Sequence, residues 1–208
     1  CRVSRPDDGT VTVSLSAFSE KQRLGIRKAL TFKDGSPVIN VKYRYENHSF
    51  DNIAGFALGI RNFFYPSGDG VSTADRYYLP TTHTLRRVIG YELKDESGSG
   101  KPVEFGDKLI TSLNAPWNGF LNPTGRNGLA VSHEDDFYAG FYIWKGQVKY
   151  PTYEWTYQTL PAGHARETEF NLIQVNDFEG LASVSAELLA STRFRLDGNT
   201  LHVFSNVK

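Results

Sequence analysis

The chain has 208 residues, 39% of them hydrophobic, which is enough for one domain of ordinary size with a real core. Its 23 basic and 23 acidic residues balance without any Lys/Arg block, so nothing in the charge calls for nucleic acid. No apolar run approaches eighteen residues, so no membrane span is expected, and a single cysteine, Cys1, excludes an intrachain disulfide framework.

Methionine is absent, including from residue 1, which reads as an excised domain rather than a complete translation product. A lipid-modified terminus at Cys1 is the other reading, but β-like alternation begins near Thr10 without a tether before it.

In chain order, VTVSLSA (11–17) alternates with Val11, Val13 and Leu15 on one face. After LGIRKALTF, Asp34-Gly35 predicts a turn. VINVKYRYE then sets Ile39, Val41, Tyr43 and Tyr45 on a dry side, with Lys42, Arg44 and Glu46 on a wet one. Further strands are predicted at 54–60, 85–93, 138–145, 152–158, 167–175 and 200–205, separated by turn-rich YPSGDG, DESGSG and NPTGRNG. DESGSGKP (95–102) reads as a hairpin loop. VSAELLA (184–190) argues mildly for helix, and 61–84 and 112–136 read as long, weakly patterned connections. The sum is an all-β antiparallel sandwich or barrel. Residues 1–178 form the expected sandwich domain, and 179–208 a terminal β segment or the start of a following element.

Three places could carry chemistry. APWNGFLNPTGRNG offers Trp117, Asn118, Asn122, Arg126 and Asn127. An aromatic plane packs against the C–H face of a sugar while amide and guanidinium groups meet its hydroxyls, so a saccharide is the ligand that suits them. The plainer reading is a tryptophan anchoring a loop, with asparagines as turn formers. In TYEWTYQ, strand parity puts Tyr153, Trp155 and Tyr157 on one face and Glu154 on the other, facing either solvent or a cleft. His48 ends the strongest strand, on the parity of Lys42, Arg44 and Glu46, and gains a catalytic role only with a carboxylate facing it. Asn47-His48-Ser49 also matches an N-glycosylation acceptor. His133, Glu134, Asp135 and Asp136 gather oxygen ligands but fit no calcium loop and read as a solvated turn. No zinc spacing, phosphate-binding glycine loop or nucleophile elbow is present, so neither metal nor cofactor is expected.

YENHSFDNIAG, DRYYLP (75–80) and PTYEWTYQTLPAG (151–163) together resemble the galactose mutarotase (aldose 1-epimerase) family and its wider superfamily of antiparallel β-supersandwiches. The resemblance covers roughly residues 11 to 178. It matches His48 to the family's catalytic histidine and Glu154 to its catalytic glutamate. The implied reaction has Glu154 take the anomeric proton while His48 protonates the ring oxygen, so that the sugar opens and recloses on its other face. The family's N-terminal half has no counterpart before Val11, which leaves open a partner chain or domain completing the sandwich. Asp107 and Asp136 are both open as the family's substrate-binding aspartate.

The sequence therefore favours a carbohydrate-binding or accessory domain of a glycan-active protein, with Asn47, Trp117, Asn118, Arg126 and Trp155 as candidate sugar contacts. The alternatives are an epimerase using His48 and Glu154, and a structural sandwich whose face is a protein interface. A periplasmic or extracellular location is favoured over a cytoplasmic one.

Overall fold

The structure, a computed structural model, describes residues 1–6, 8–61, 66–68, 74–81, 85–89, 103–105, 108–111, 113, 115–133, 138–144, 150–156, 159–178, 180–185, 189–197 and 200–207. At 86, 89, 103–105, 108–111, 138–144, 150–156, 189–197 and 200–207 the description extends to the backbone alone.

Every regular element among the described residues is a strand. The first six are β1 (Arg2–Ser4), β2 (Thr10–Ser19), β3 (Leu24–Lys33), β4 (Val38–Asn47), β5 (Ile53–Ala54) and β6 (Ala57–Arg61). There follow β7 (Arg76–Pro80), β8 (Leu85–Ile89), β9 (Val103–Phe105), β10 (Lys108–Thr111), β11 (Trp117–Asn122), β12 (Asn127–His133) and β13 (Tyr138–Trp144). The last are β14 (Tyr150–Thr156), β15 (Thr159–Leu160), β16 (Ala165–Asn176), β17 (Ser183–Val184), β18 (Leu189–Asp197) and β19 (Thr200–Val207). The chain divides into two compact units: Cys1–Ile60 with His133–Ala139 and Tyr153–Leu172, and Arg61–Ser132 with Gly140–Thr152 and Ile173–Lys208.

In the first unit β1 to β4 form an antiparallel meander, and β16 follows β4 in the sheet order. Cross-strand rows are in register, so side chains of four strands line up: Arg2, Ser14, Ala29 and Lys42 in one row, then Ser16, Arg27 and Arg44, then Phe18, Gly25 and Glu46. These rows make the wet face that the alternation of β4 predicts. The opposite face carries Val41 and Tyr45, both 1% exposed. Tyr43 stacks on Tyr45 at 6.0 Å and on Phe170 at 6.4 Å, and Tyr45 meets Phe56 at 5.5 Å, so aromatic rings knit β4 to its neighbours. The dry face thins outward, where Val3, Leu15 and Phe32 stay exposed.

In the second unit β12, β11, β7 and β8 pair antiparallel in that order. β13, β10 and β9 make a second antiparallel ladder, and β17, β18 and β19 a third. Tyr77, Leu79, Val88, Phe120, Leu121, Ala130, Val131 and Val175 are fully or almost fully buried. Each large apolar side chain buried in this way contributes about 1.5–3 kcal/mol.

Three sequence expectations change here. The connection 112–136 contains the β11–β12 hairpin, and 61–84 contains β7. β11 is buried on both faces from Trp117 to Leu121, so it lacks the alternation that marks a half-exposed strand. In place of a helix over 184–190, the described residues give β17 and the start of β18. The expected hairpin loop at 95–102 lies outside the described residues.

Candidate functional site

The end of β4 is fixed by one buried amide. Asn47 is 1% exposed, and its Nδ2 donates to the carbonyls of Asp51 at 2.8 Å and Leu160 at 3.0 Å. Its Oδ1 accepts from the Ser49 N–H at 3.0 Å, closing an Asx turn, and lies 2.7 Å from Ser49 Oγ. That hydroxyl is also 2.7 Å from the Asp51 carbonyl, and its single proton serves one of the two at a time. The main chain of Asn47 holds a second segment: the Gly163 N–H donates to the Asn47 carbonyl at 2.9 Å, and the Asn47 N–H to the His164 carbonyl at 2.9 Å. Pro161 to His164 close a turn through a His164 N–H bond to the Pro161 carbonyl at 3.1 Å, with Gly163 at φ +70°. A type II turn requires that conformation at its third residue, which is why glycine stands there.

These constraints build an open cleft of about 680 Å³ at the end of β4, lined by Arg44, Glu46, Asn47, His48, Ser49, Phe50 and Ala162 to Ala165. The His48 N–H donates to the Arg23 carbonyl at 2.8 Å, which ties the cleft to the β2–β3 turn. The imidazole leans across β3 above Gly25, where a Cβ would meet Nε2 at 3.0 Å, and contacts Phe18 edge-on at 5.6 Å. Glycine here makes room for a ring. Glu46 Oε2 lies 3.3 Å from His48 Nε2. Arg44 Nε donates to Glu46 Oε1 at 2.7 Å and, with Arg27 and His48 nearby, holds that carboxyl below its ordinary value. Glu46 is therefore an anion that faces His48, and it is a poor proton donor. Phe50, wholly exposed, stands at the cleft as an apolar ring among polar neighbours.

Glu46, Phe50 and His164 are not singled out by the sequence pattern. Glu46 shares the parity of His48, and that is the one signal that pointed to it. His164 reaches the cleft only through the turn that Asn47 clasps, and Phe50 through the Asx turn.

The other candidates fall elsewhere. Asn47 lines the cleft but its amide is turned inward with both donors used, so it shapes the site rather than offering a free contact, and its acceptor pattern is closed to glycosylation in the folded chain. Trp117 and Asn118, 5% and 0% exposed, belong to β11 in the second unit; they are packed strand residues and not a loop surface. Arg126, also in the second unit, is exposed in the β11–β12 turn at φ +54°, and its Nη2 donates to the Asp177 carbonyl at 2.8 Å. Glu154 and Trp155 lie on β14, with their side chains outside the description, and Asp107, Glu134, Asp135 and Asp136 lie outside the described residues. His133 is buried at the end of β12, so the acidic run does not begin as the solvated turn that was expected. Among the described residues no three His, Cys, Asp or Glu side chains gather as a metal site would need, and no helix is long and apolar enough to cross a membrane.

No protein-family model matches the sequence, and no curated protein does. Among solved structures the chain is similar to a TPR-domain containing protein from Parabacteroides distasonis, with TM-score 0.57 and 10% identity over 84% of this chain and 34% of that one. It is similar to a putative aldose 1-epimerase from Klebsiella pneumoniae, with TM-score 0.57 and 11% identity over 84% and 53%. A galactose mutarotase-like protein from Clostridium acetobutylicum gives TM-score 0.56 and 11% identity over 85% and 65%. At these identities the likeness is one of fold, and the fold is all-β, antiparallel and galactose mutarotase-like. The chain spans between a third and two thirds of the length of these structures.

Proposed function

We propose that the chain is a carbohydrate-binding or accessory domain of a larger glycan-active protein, with the cleft at the end of β4 as its sugar site. The observation that carries this reading is the exposed Phe50 ring beside His48, His164, Arg44 and Glu46 in one cleft. A sugar offers a C–H face to such a ring, and hydroxyls to imidazole, guanidinium and carboxylate. Phe18, next to His48 and 46% exposed, extends the apolar surface. In this reading a neighbouring domain or chain covers Val3, Leu15 and Phe32.

The test is a titration of the chain with a panel of neutral mono- and oligosaccharides, followed by NMR or calorimetry. Binding that is lost in Phe50→Ala and His48→Ala is the expected result. A panel without a single binder would overturn the proposal.

The exposed His48, 3.3 Å from an anionic carboxylate, also favours a second reading in which the cleft opens and recloses an aldose ring. His48 would protonate the ring oxygen and Glu154 would take the anomeric proton. Polarimetry of freshly dissolved α-glucose or α-galactose checks it: mutarotation faster with the parent chain than with Glu154→Gln is expected, and equal rates would remove Glu154 from the reaction on those sugars.

A further inference from the structure

The wet face of the first unit carries a second recess, which shares Arg44 with the cleft. A trough of about 630 Å³ crosses the sheet, lined by Arg2, Ser14, Ser16, Arg27, Ala29, Lys42, Arg44 and Glu167 among others. Its floor is low because the register places small residues between large ones. Ser14 and Ala29 separate Arg2 from Lys42 in one row, and Ser16 precedes Arg27 and Arg44 in the next. With Lys28, also in the lining, five cations stand around a shallow floor in a chain whose overall charge is zero.

Two carboxylates pair directly with three of those cations, and a third, Glu169, lies close enough to Lys42 to favour its charged form. Glu167 takes Lys42 Nζ at 2.8 Å and Arg44 Nη1 at 3.0 Å, while Glu46 takes Arg44 Nε at 2.7 Å and Arg27 Nη2 at 3.6 Å. The pairing holds Lys42 and Arg44 in place but leaves donors over. Lys42 has three N–H bonds and Arg44 and Arg27 five each, so most point elsewhere. Arg2 has no hydrogen bond or ion pair among the described residues, and the Arg27 side chain is 66% exposed.

Spacing decides the shape of the ligand. Neighbouring strands lie about 4.8 Å apart, so the backbone of Arg2 on β1 is about 14 Å from that of Lys42 on β4, with Arg27 between them on β3. Lys42 is drawn away from Arg2, onto Glu167 of β16 at 2.8 Å, so a chain with repeated negative groups meets both ends more readily than a single oxyanion does. No aromatic ring lines the trough, so unpaired bases have nothing to stack on.

We infer that this trough binds an extended polyanion bearing carboxylate or sulfate groups, of the kind an acidic polysaccharide presents, running across β1 to β4. The inference is independent of the neutral-sugar reading of the cleft.

Fluorescence anisotropy with labelled dextran sulfate, uncharged dextran of equal length and the oligonucleotide dT10 tests it. Dextran sulfate is expected to bind, with an affinity that falls steeply with salt, and uncharged dextran is not. The double variant R2S/R27S should weaken dextran sulfate binding about fivefold or more, as loss of two exposed charge contacts implies. Arg5→Ser, outside the trough, should leave it unchanged. Both substituted residues are exposed, so folding is preserved, and circular dichroism of the double variant checks that. Equal binding of the parent and the double variant, or no preference for dextran sulfate over dextran, would overturn the inference. Binding of dT10 as tight as that of dextran sulfate would assign the face to nucleic acid instead. Full competition by inorganic sulfate at equal charge would overturn the extended ligand in favour of a single oxyanion. Phe50→Ala and His48→Ala should keep the polyanion response, which separates its outcome from that of the cleft.

Discussion

Replacing Asn47 by alanine removes the amide on which the end of β4 depends. Three bonds go: Nδ2 to the Asp51 carbonyl, Nδ2 to the Leu160 carbonyl and the Ser49 N–H to Oδ1. Ser49 Oγ still has the Asp51 carbonyl. Each intramolecular hydrogen bond contributes about 1 kcal/mol net, so the loss sums to about 3 kcal/mol. Leu160 is 0% exposed, so its carbonyl has no easy access to water and the full figure is expected. In a chain of this size that is a fall in Tm of about 6–12 °C, with a matching shift in the urea midpoint. Asn47→Asp sharpens the test. It keeps the shape but sets a carboxylate against two carbonyl oxygens at 2.8 and 3.0 Å, and should destabilise at least as much as alanine. If both variants unfold within about 0.5 kcal/mol of the parent, Asn47 is not the clasp described here.

Gly25→Ala should barely change the urea midpoint, because the strand tolerates alanine, yet it should displace the imidazole that a Cβ would crowd at 3.0 Å; the chemical shifts of His48 report that displacement. Gly128→Ala is the opposite case, since its Cβ would run into the Phe120 carbonyl oxygen and Leu121 Cα in the β11–β12 hairpin, and calorimetry should show a loss of about 3 kcal/mol. Tyr45→Ala, at a 1% exposed ring packed on Tyr43 and Phe56, should cost about 3–5 kcal/mol by chemical denaturation. Glu46 and Glu167 sit below their ordinary value of 4.5, held there chiefly by Arg44 and Lys42 respectively. Their contribution to stability is complete above that value and is lost as pH falls through their folded pKa, so the midpoint should drop as pH is lowered below 4.5, and less so in Glu167→Gln. Lys42, raised by Glu167, has the reverse sign: its contribution is present below 10.5 and is lost as pH rises past the folded value.

What could be read in advance follows from how each residue is placed. β4 announced itself because one face is dry and the other wet, and the burial of Val41 and Tyr45 against the exposure of Arg44 repeats that alternation. β11 was hidden because both its faces are buried, and because Gly119 and Gly128 look like loop glycines. They are packing glycines: a Cβ on Gly119 would collide with Leu181, and one on Gly128 with backbone. His48 was legible as the end of a wet-face series. Its surroundings were not, since Gly25 and Phe18 meet it through register, and His164 through a turn more than a hundred residues along the chain. The cationic trough was invisible for the same reason. Arg2, Arg27 and Lys42 are far apart in sequence and form no charge run, and only the alignment of four strands gathers them.

The turn that carries Phe50 bears on affinity. Its backbone is held by the Asn47 amide, by Ser49 and by the bond that the Ala162 N–H donates to Asn52 Oδ1 at 3.0 Å. A ring displayed on a loose loop must be ordered when a ligand arrives, and that ordering subtracts from the binding free energy. Here the chain settles the backbone beneath the ring when it folds. If Phe50 stacks on a sugar as proposed, that weak contact is felt almost in full, and a variant that frees the turn while leaving the ring in place should bind more weakly through entropy alone.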